Sequence, residues 1–308
     1  MTTQTCILIG APVDCGKRRL GCLMGPDAYR AARLPEALRD LGHNVEDRGN
    51  LAPAPHTPDS EGAFLHKLNE TIGWTTALME AAQLEMQNGL PIFLGGDHAL
   101  ALGTVPGVAK YAASQNRTLF VLWLDAHTDY HTPETTDSGN LHGTPVGYFT
   151  GRTGFDGFPE MDTPVPHDQI CMIGLRSVDP EERAALDGTD VARHDMRDID
   201  ENGIAGPLAT FLEKVASANG LLHVSLDVDF LDPAHAPGVG TTVPGGATVR
   251  EAHLIMEMIH DSNLLSSLDL VELNPFLDDR GQTANLMVDL AASALGRTVF
   301  DRPTRART

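Results

Sequence analysis

Asp125, His127 and Asp129 are spaced with one residue between each, and Asp227 and Asp229 repeat that spacing much later in the chain. Each set closes a largely apolar run, Leu119–Leu124 before the first and Leu221–Leu226 before the second. Residues at i and i+2 of an extended chain project to the same side. Each set therefore aims its polar side chains at one place, at the carboxyl end of a strand. Four carboxylates and an imidazole so grouped repel one another and carry a heavy desolvation cost unless positive charge lies among them. Divalent metal is the simplest source. Two such ions would balance the four carboxylates. Oxygen donors with imidazoles suit manganese, or a neighbour such as cobalt, better than a structural zinc, which favours thiolate. Two ions roughly 3.5–4 Å apart can share a water, lower its pKa and deliver hydroxide near neutral pH. A third apolar run ends in Gly95-Gly96-Asp97-His98, where two glycines allow close backbone approach and His98 projects toward the same rim.

Repeated strand and helix units must place these groups. The apolar pattern predicts strands over Thr5–Gly10, Pro91–Gly95, Thr118–Asp125, Gln169–Leu175, Leu221–Asp227 and Ser267–Glu272. Amphipathic stretches over Asp27–Leu41, Ala63–Asn88, Leu100–Ala113, Leu208–Ala218 and Gln282–Leu295 read as helices. Pro26 suits a first helical turn, and Asn88-Gly89 suits a helix stop. Thr248 and Glu251 form a capping box ahead of a helix over Val249–His260. Strands apolar on both faces imply a parallel sheet covered on both sides. The expected fold is therefore α/β, a three-layer αβα sandwich around a doubly wound, mostly parallel sheet, with residues 1–308 as one domain. Ligands in such folds bind beyond the carboxyl ends of the strands, where both acidic sets fall. The long irregular stretch Tyr130–Asp168 follows the first set, and loops of that length are usually functional or disordered.

Composition narrows the partners. A net charge of −20 argues against nucleic acid and is compatible with a cationic substrate. No run is long and apolar enough for a membrane span, and no export signal is visible, so a cytoplasmic protein is expected. The four cysteines form no CxxC pair and read as reduced thiols.

The motifs Gly95-Gly96-Asp97-His98, Asp125-Ala126-His127-Thr128-Asp129 and Ser225-Leu226-Asp227-Val228-Asp229-Phe230-Leu231-Asp232-Pro233 resemble the three signatures of the arginase (ureohydrolase) family. The resemblance runs from about Ile9 to Gly296. It implies two Mn²⁺ per subunit and hydrolysis of a guanidinium group to urea. By that likeness His98, Asp125, Asp129 and Asp227 hold one ion, Asp125, His127, Asp227 and Asp229 hold the other, and Asp125 and Asp227 bridge. His142 resembles the family's proton-shuttling loop histidine, and Glu272 the acid that grips the guanidinium by paired hydrogen bonds. By the same likeness Asp129 and Thr241 are expected near the nucleophile. Homotrimers or homohexamers are implied, with Arg250 and Glu251 at positions that pair across subunits.

The loop Ser138-Gly139-Asn140-Leu141-His142-Gly143 resembles true arginases rather than agmatinases. Thr136, Ser138 and Asn140 are then expected around an α-carboxylate, and Asp179, with Glu182 behind it, around an α-ammonium. L-arginine is the favoured substrate. His131 stands where arginases usually carry an Asn that donates to the carboxylate, and Ser177 where many carry a second Asp. An imidazole donates more strongly when protonated, so KM for arginine is expected to rise between about pH 6 and 8.

Other readings leave distinct signatures. A guanidino acid, agmatine or formimidoylglutamate would replace arginine within the same family, and a metal-binding regulator would bind ions without turnover. Gly10–Lys17 resembles a phosphate loop, but its glycines are separated by five residues instead of four and Arg18 replaces the Ser or Thr. It reads as a glycine-rich loop leading to Pro26.

Overall fold

The structure, a computed structural model, describes residues 3–298 and Phe300. Eight strands, β1 (Thr5–Ala11), β2 (Asn44–Asn50), β3 (Leu90–Gly95), β4 (Leu119–Leu124), β5 (Ile170–Leu175), β6 (Ala192–Asp195), β7 (Leu221–Asp227) and β8 (Leu265–Val271), form one sheet. Their order is β2-β1-β3-β8-β7-β4-β5-β6, and every neighbouring pair is parallel. The helices are α1 (Gly25–Ala31), α2 (Leu34–Asp40), α3 (Leu68–Glu85), α4 (Ala101–Ser114), α5 (Pro145–Phe149), α6 (Pro180–Leu186), α7 (Met196–Asn202), α8 (Ala205–Ser217), α9 (Val249–Ser262) and α10 (Gln282–Ala294).

Alternation along each central strand feeds two cores. On β4, Phe120, Leu122 and Leu124 join α1, α2, α8, α9 and α10, while Leu119, Val121 and Trp123 join α3, α4 and α5 on the opposite face. That is the expected three-layer α/β arrangement. Burial of both faces explains why β3, β4, β5 and β7 carry no exposed residue.

Two strands escaped the apolar pattern. β2 and β6 are the sheet edges, and Asn-Val-Glu-Asp-Arg-Gly-Asn and Ala-Arg-His-Asp are largely exposed. Edge strands that carry charge resist pairing with a second sheet, so polarity there is compatible with strand structure. The expected helix over Asp27–Leu41 is two helices, broken where Arg33 takes φ 69°. The expected helix over Ala63–Asn88 begins only at Leu68 and ends at Glu85. Gly89 is not left-handed; instead a Cβ there would meet the Thr5 carbonyl at 2.3 Å, so close approach to β1 requires it. The stretch Tyr130–Asp168 is ordered around α5, with Tyr130, Tyr148 and Phe149 buried. Thr248 and Glu251 exchange their capping-box bonds at 2.7 and 3.3 Å. The four cysteines are buried and not bonded to one another. No helix among the described residues is long and apolar enough to cross a membrane.

Candidate metal centre and active site

Four adjacent strands, β3, β8, β7 and β4, open onto one spot at their carboxyl ends. After β3 the chain turns at Gly96, where a Cβ would meet the Val13 carbonyl at 2.0 Å. Asp97 then caps a short turn through the Ala99 N–H at 3.0 Å, which presents His98. After β4, Asp125 accepts from the His127 N–H at 2.7 Å, and after β7, Asp227 accepts from the Asp229 N–H at 2.7 Å. The same bond therefore shapes both acidic turns. A cross-strand bond from the Ala126 N–H to Asp229 at 3.1 Å joins them. Asp129 and Glu272 adopt φ 46° and 67°, in the left-handed region that non-glycine residues seldom occupy.

The side chains converge in two groups. His98 Nδ1 lies 3.0 Å from Asp125, 3.1 Å from Asp129 and 3.0 Å from Asp227. His127 Nδ1 lies 3.1 Å from Asp229 and 3.4 Å from Asp125. Asp125 belongs to both groups. Asp227 approaches His98, and its expected place in the second group rests on the family likeness alone. His98 Nε2 is held on Ser225 Oγ at 2.8 Å and the ring stacks on Trp123 at 4.2 Å, which turns Nδ1 toward the acids.

These residues fit a cation. His98 Nδ1 and Asp125 Oδ2 are buried and lack a hydrogen-bond partner although they are near neighbours. Donor atoms facing a common point without sharing a proton are what a metal ion satisfies. Electrostatics agree. Burial, and then the charge of Asp125, push Asp129 up to about 6. Burial, Asp229 and Asp125 push Asp227 well above the carboxylate range. Burial opposes charge on His127, yet Asp229 and Asp125 carry it up to about 12. The protein alone must keep protons in this cluster, and a divalent ion would replace them.

A cavity of about 240 Å³ opens above the cluster, lined by His127, Asp129, Asp227 and Asp229 at one end. Glu272 and His142 form its side wall, joined by a 3.0 Å bond from His142 Nδ1. Thr136, Ser138, Asn140 and the exposed Thr241 also line the cavity. Thr136 Oγ1 and Ser138 Oγ are 3.3 Å apart, and Ser138 Oγ accepts from the Asn140 N–H at 3.2 Å. Asp179, Glu182, His131 and Ser177 stand on the remaining wall.

A model of the arginase family matches residues 4–296. An arginase of Brucella melitensis biotype 1 is 61% identical over 301 residues, covering 97% of this chain and 98% of that protein. The chain belongs to the arginase family. Among solved structures of that family, the native arginase of Bacillus caldovelox has a TM-score of 0.87 at 34% identity, with 96% of this chain and 100% of that one covered. An Entamoeba histolytica arginase in complex with L-ornithine has a TM-score of 0.86 at 27% identity, with the same coverage. This arginase-family chain is a ureohydrolase-type hydrolase of a metal-dependent family.

Three placements differ from a simple transfer of roles. His131 Nε2 lies 3.1 Å from Asp179 and its Nδ1 lies 3.1 Å from Thr135, so both ring nitrogens have partners within the protein. Glu182 accepts from the Asp179 N–H at 3.2 Å and the Tyr130 N–H at 2.8 Å, which ties the start of α6 to the loop after β4. Glu251 is occupied in its capping box. Sequence reasoning missed Lys17, whose ammonium meets Glu272 with both side chains 3% exposed. Its signal was a lysine just past the end of β1, but only the sheet order sets that loop beside Glu272.

Proposed function

We propose that this protein hydrolyses L-arginine to L-ornithine and urea with two Mn²⁺ ions per subunit. The observation that carries the reading is the cavity itself. It is lined by His127, Asp129, Asp227 and Asp229, beside two acid and histidine groups that share Asp125, together with the hydroxyls of Thr136 and Ser138 and the carboxylate of Asp179. Such a space suits a cationic side chain pointing down and an α-amino acid group held at the rim. The complex of the Entamoeba histolytica relative with L-ornithine supports it.

His98, Asp125, Asp129 and Asp227 would hold one ion, and Asp125, His127, Asp227 and Asp229 the other. When bound, the ions would supply Lewis acidity, making water acidic enough to serve as a nucleophile near neutral pH. Asp129 lines the cavity, where its carboxylate would accept a hydrogen bond from the attacking water. Glu272 accepts from the guanidinium nitrogens and holds the carbon in the path of attack. Anchored on Glu272 through Nδ1, His142 passes a proton through Nε2 to the leaving amine of ornithine. Thr136 and Ser138 donate to the α-carboxylate, assisted by Asn140, and Asp179 accepts from the α-ammonium. His131 either steadies Asp179 or turns to the carboxylate, Glu182 braces that wall, and Thr241 closes the edge. A single domain, a cytoplasmic location and a homotrimer or homohexamer complete the proposal.

Urea release from arginine, agmatine and 4-guanidinobutyrate, and formamide release from formimidoylglutamate, test it with added Mn²⁺ and after chelation. Arginine should be the best substrate by kcat/KM, and chelation should remove the activity until Mn²⁺ is restored. Faster turnover of any other compound, or turnover that survives exhaustive chelation, would overturn the reading.

A further inference from the structure

The loop after β1, which departs from a phosphate loop in spacing and in Arg18, holds the working face of the site together. Asp14 accepts from the N–H groups of Gly21 and Cys22 at 2.8 and 3.0 Å, closing the loop on itself. The Gly16 N–H donates to Asp97 at 2.7 Å, and the Gly16 carbonyl accepts from the N–H groups of Leu141 and His142 at 2.6 and 3.0 Å. A Cβ on Gly16 would meet Ala99 at 2.6 Å, so a side chain there would push the loop away. Lys17 is thereby driven inward onto Glu272.

Glu272 is heavily used. Oε1 accepts from the His98 N–H at 2.9 Å and lies 3.0 Å from His142, while Oε2 meets Lys17 and lies 3.8 Å from the Cys22 thiol. A carboxylate offers about four acceptor sites; three strong contacts engage both oxygens, and the fourth, to a thiol, is long and weak, so the face toward the cavity can still accept. Fully buried ion pairs seldom stabilise a fold over apolar residues of the same size. Lys17 therefore needs another reason for its place against an active-site acid.

We propose that Lys17 is a specificity-determining residue of the guanidinium pocket, neutralising Glu272 so that a side chain is selected by hydrogen-bond geometry rather than by its positive charge. The inference rests on the proposed role of Glu272 toward the guanidinium. With the ammonium in place, an incoming cation meets a carboxylate whose charge is already balanced. A planar guanidinium can still share the carboxylate through aligned N–H groups, whereas a compact ammonium gains little and is repelled by Lys17. Without Lys17 the pocket would favour cations of any shape.

The test is the ratio of dissociation constants of L-citrulline, with its neutral ureido group, and L-lysine, with its ammonium, measured by calorimetry on the metal-loaded enzyme. Comparing one ratio across variants cancels the contacts that the two amino acids share. Lys17→Met should shift it toward L-lysine by about tenfold or more, and Lys17→Arg should leave it within about twofold of wild type. Glu272→Gln strands the ammonium and should shift the ratio about tenfold the other way, toward L-citrulline. The double variant, neutral at both positions, should return toward wild type. Should Lys17→Met fail to fold, Glu272→Gln and the double variant read the same charge. A ratio unmoved in Lys17→Met or Glu272→Gln, or a double variant no nearer wild type than the singles, overturns the role of Lys17. Urea release from arginine beside an unmoved ratio sinks Lys17 alone. A ratio that moves as expected in an enzyme that leaves arginine intact sinks the substrate reading instead.

Discussion

The floor of the cavity stands on Asp125, Asp227 and Asp229, which follow the ends of central strands at 1–3% exposure, whereas on its rim Ser138 sits on an exposed loop and the Asp179 side chain is 63% exposed. The floor is fixed by hydrogen bonds between neighbouring strands. The rim is fixed by side-chain bonds within and between loops, such as the Ser138 contact to Asn140 and the Glu182 bridge to Tyr130. Charges on the floor act with little water between them, so each is worth far more than the same charge in solvent. Rim charges are screened. The floor should therefore govern metal binding and turnover, and the rim should govern affinity by small increments.

Asp125→Asn should have the largest effect, because both groups share that carboxylate. Urea release should fall below detection at any added Mn²⁺, beyond the 10–100-fold that loss of a ligand's supporting partner costs. Activity within about tenfold of wild type would erase the distinction between floor and rim. His142→Ala removes the proposed proton donor at the side wall and should lower kcat by about 10²–10⁴-fold with metal content intact. Stopped-time urea assays with metal analysis on the same sample check both halves.

Ser225→Ala leaves every proposed ligand in place but frees His98 Nε2, and should weaken metal binding by about 10–100-fold in a calorimetric titration. Metal binding should also depend on pH in a fixed direction. His127 is raised to about 12 and Asp129 to about 6 without metal, so the metal-free cluster carries protons near neutrality. Since ligands bind deprotonated, affinity should rise with pH, about tenfold per unit for each proton displaced. Titrations in buffers of different ionisation heat count those protons, and none released would contradict the electrostatic account. In the metal-free protein the sign for stability is opposite for His127. A raised histidine pKa stabilises the fold fully below the unfolded value, and that contribution is lost as pH rises toward about 12.

The smallest effects should come from the rim. An exposed charged contact is worth about 0.2–1 kcal/mol, so Asp179→Asn should raise KM for arginine by about fivefold at most, with kcat nearly unchanged. A loss of kcat there would show that the rim also aligns the reacting end. Set against His131→Ala, His131→Asn separates two outcomes at the same wall. If His131 leaves Asp179 to donate to the carboxylate, His131→Ala should raise KM for arginine by about two- to tenfold while the Asn variant, still a donor, should not. Equal KM values in the two variants would leave His131 as a partner of Asp179 only.

Much of the floor was legible without a structure. Asp125, His127 and Asp129 announced themselves by period-two spacing after an apolar strand, and Asp227 and Asp229 repeated it. The rim was legible only through likeness to a family, since Thr136, Ser138 and Asp179 lie in loops whose local pattern carries no chemistry. Charged edge strands hid β2 and β6, because period and polarity at a sheet edge resemble those of a loop. Lys17 hid for a different reason. Its neighbours look like a poor phosphate loop, and its partner Glu272 lies at the far end of the chain.

Residue order by itself determined that acids and imidazoles would crowd at strand ends, because an extended backbone forces alternate side chains to one side. Which strand ends meet was decided by tertiary structure alone. Parallel pairing places β3, β8, β7 and β4 side by side although the chain visits them in another order. The same sheet sets β1 against β3, so that Gly16 grips the His142 loop and Lys17 reaches Glu272. Alternation is a property of a few bonded residues, whereas charge balance in a buried pocket depends on whichever groups the fold brings together through space.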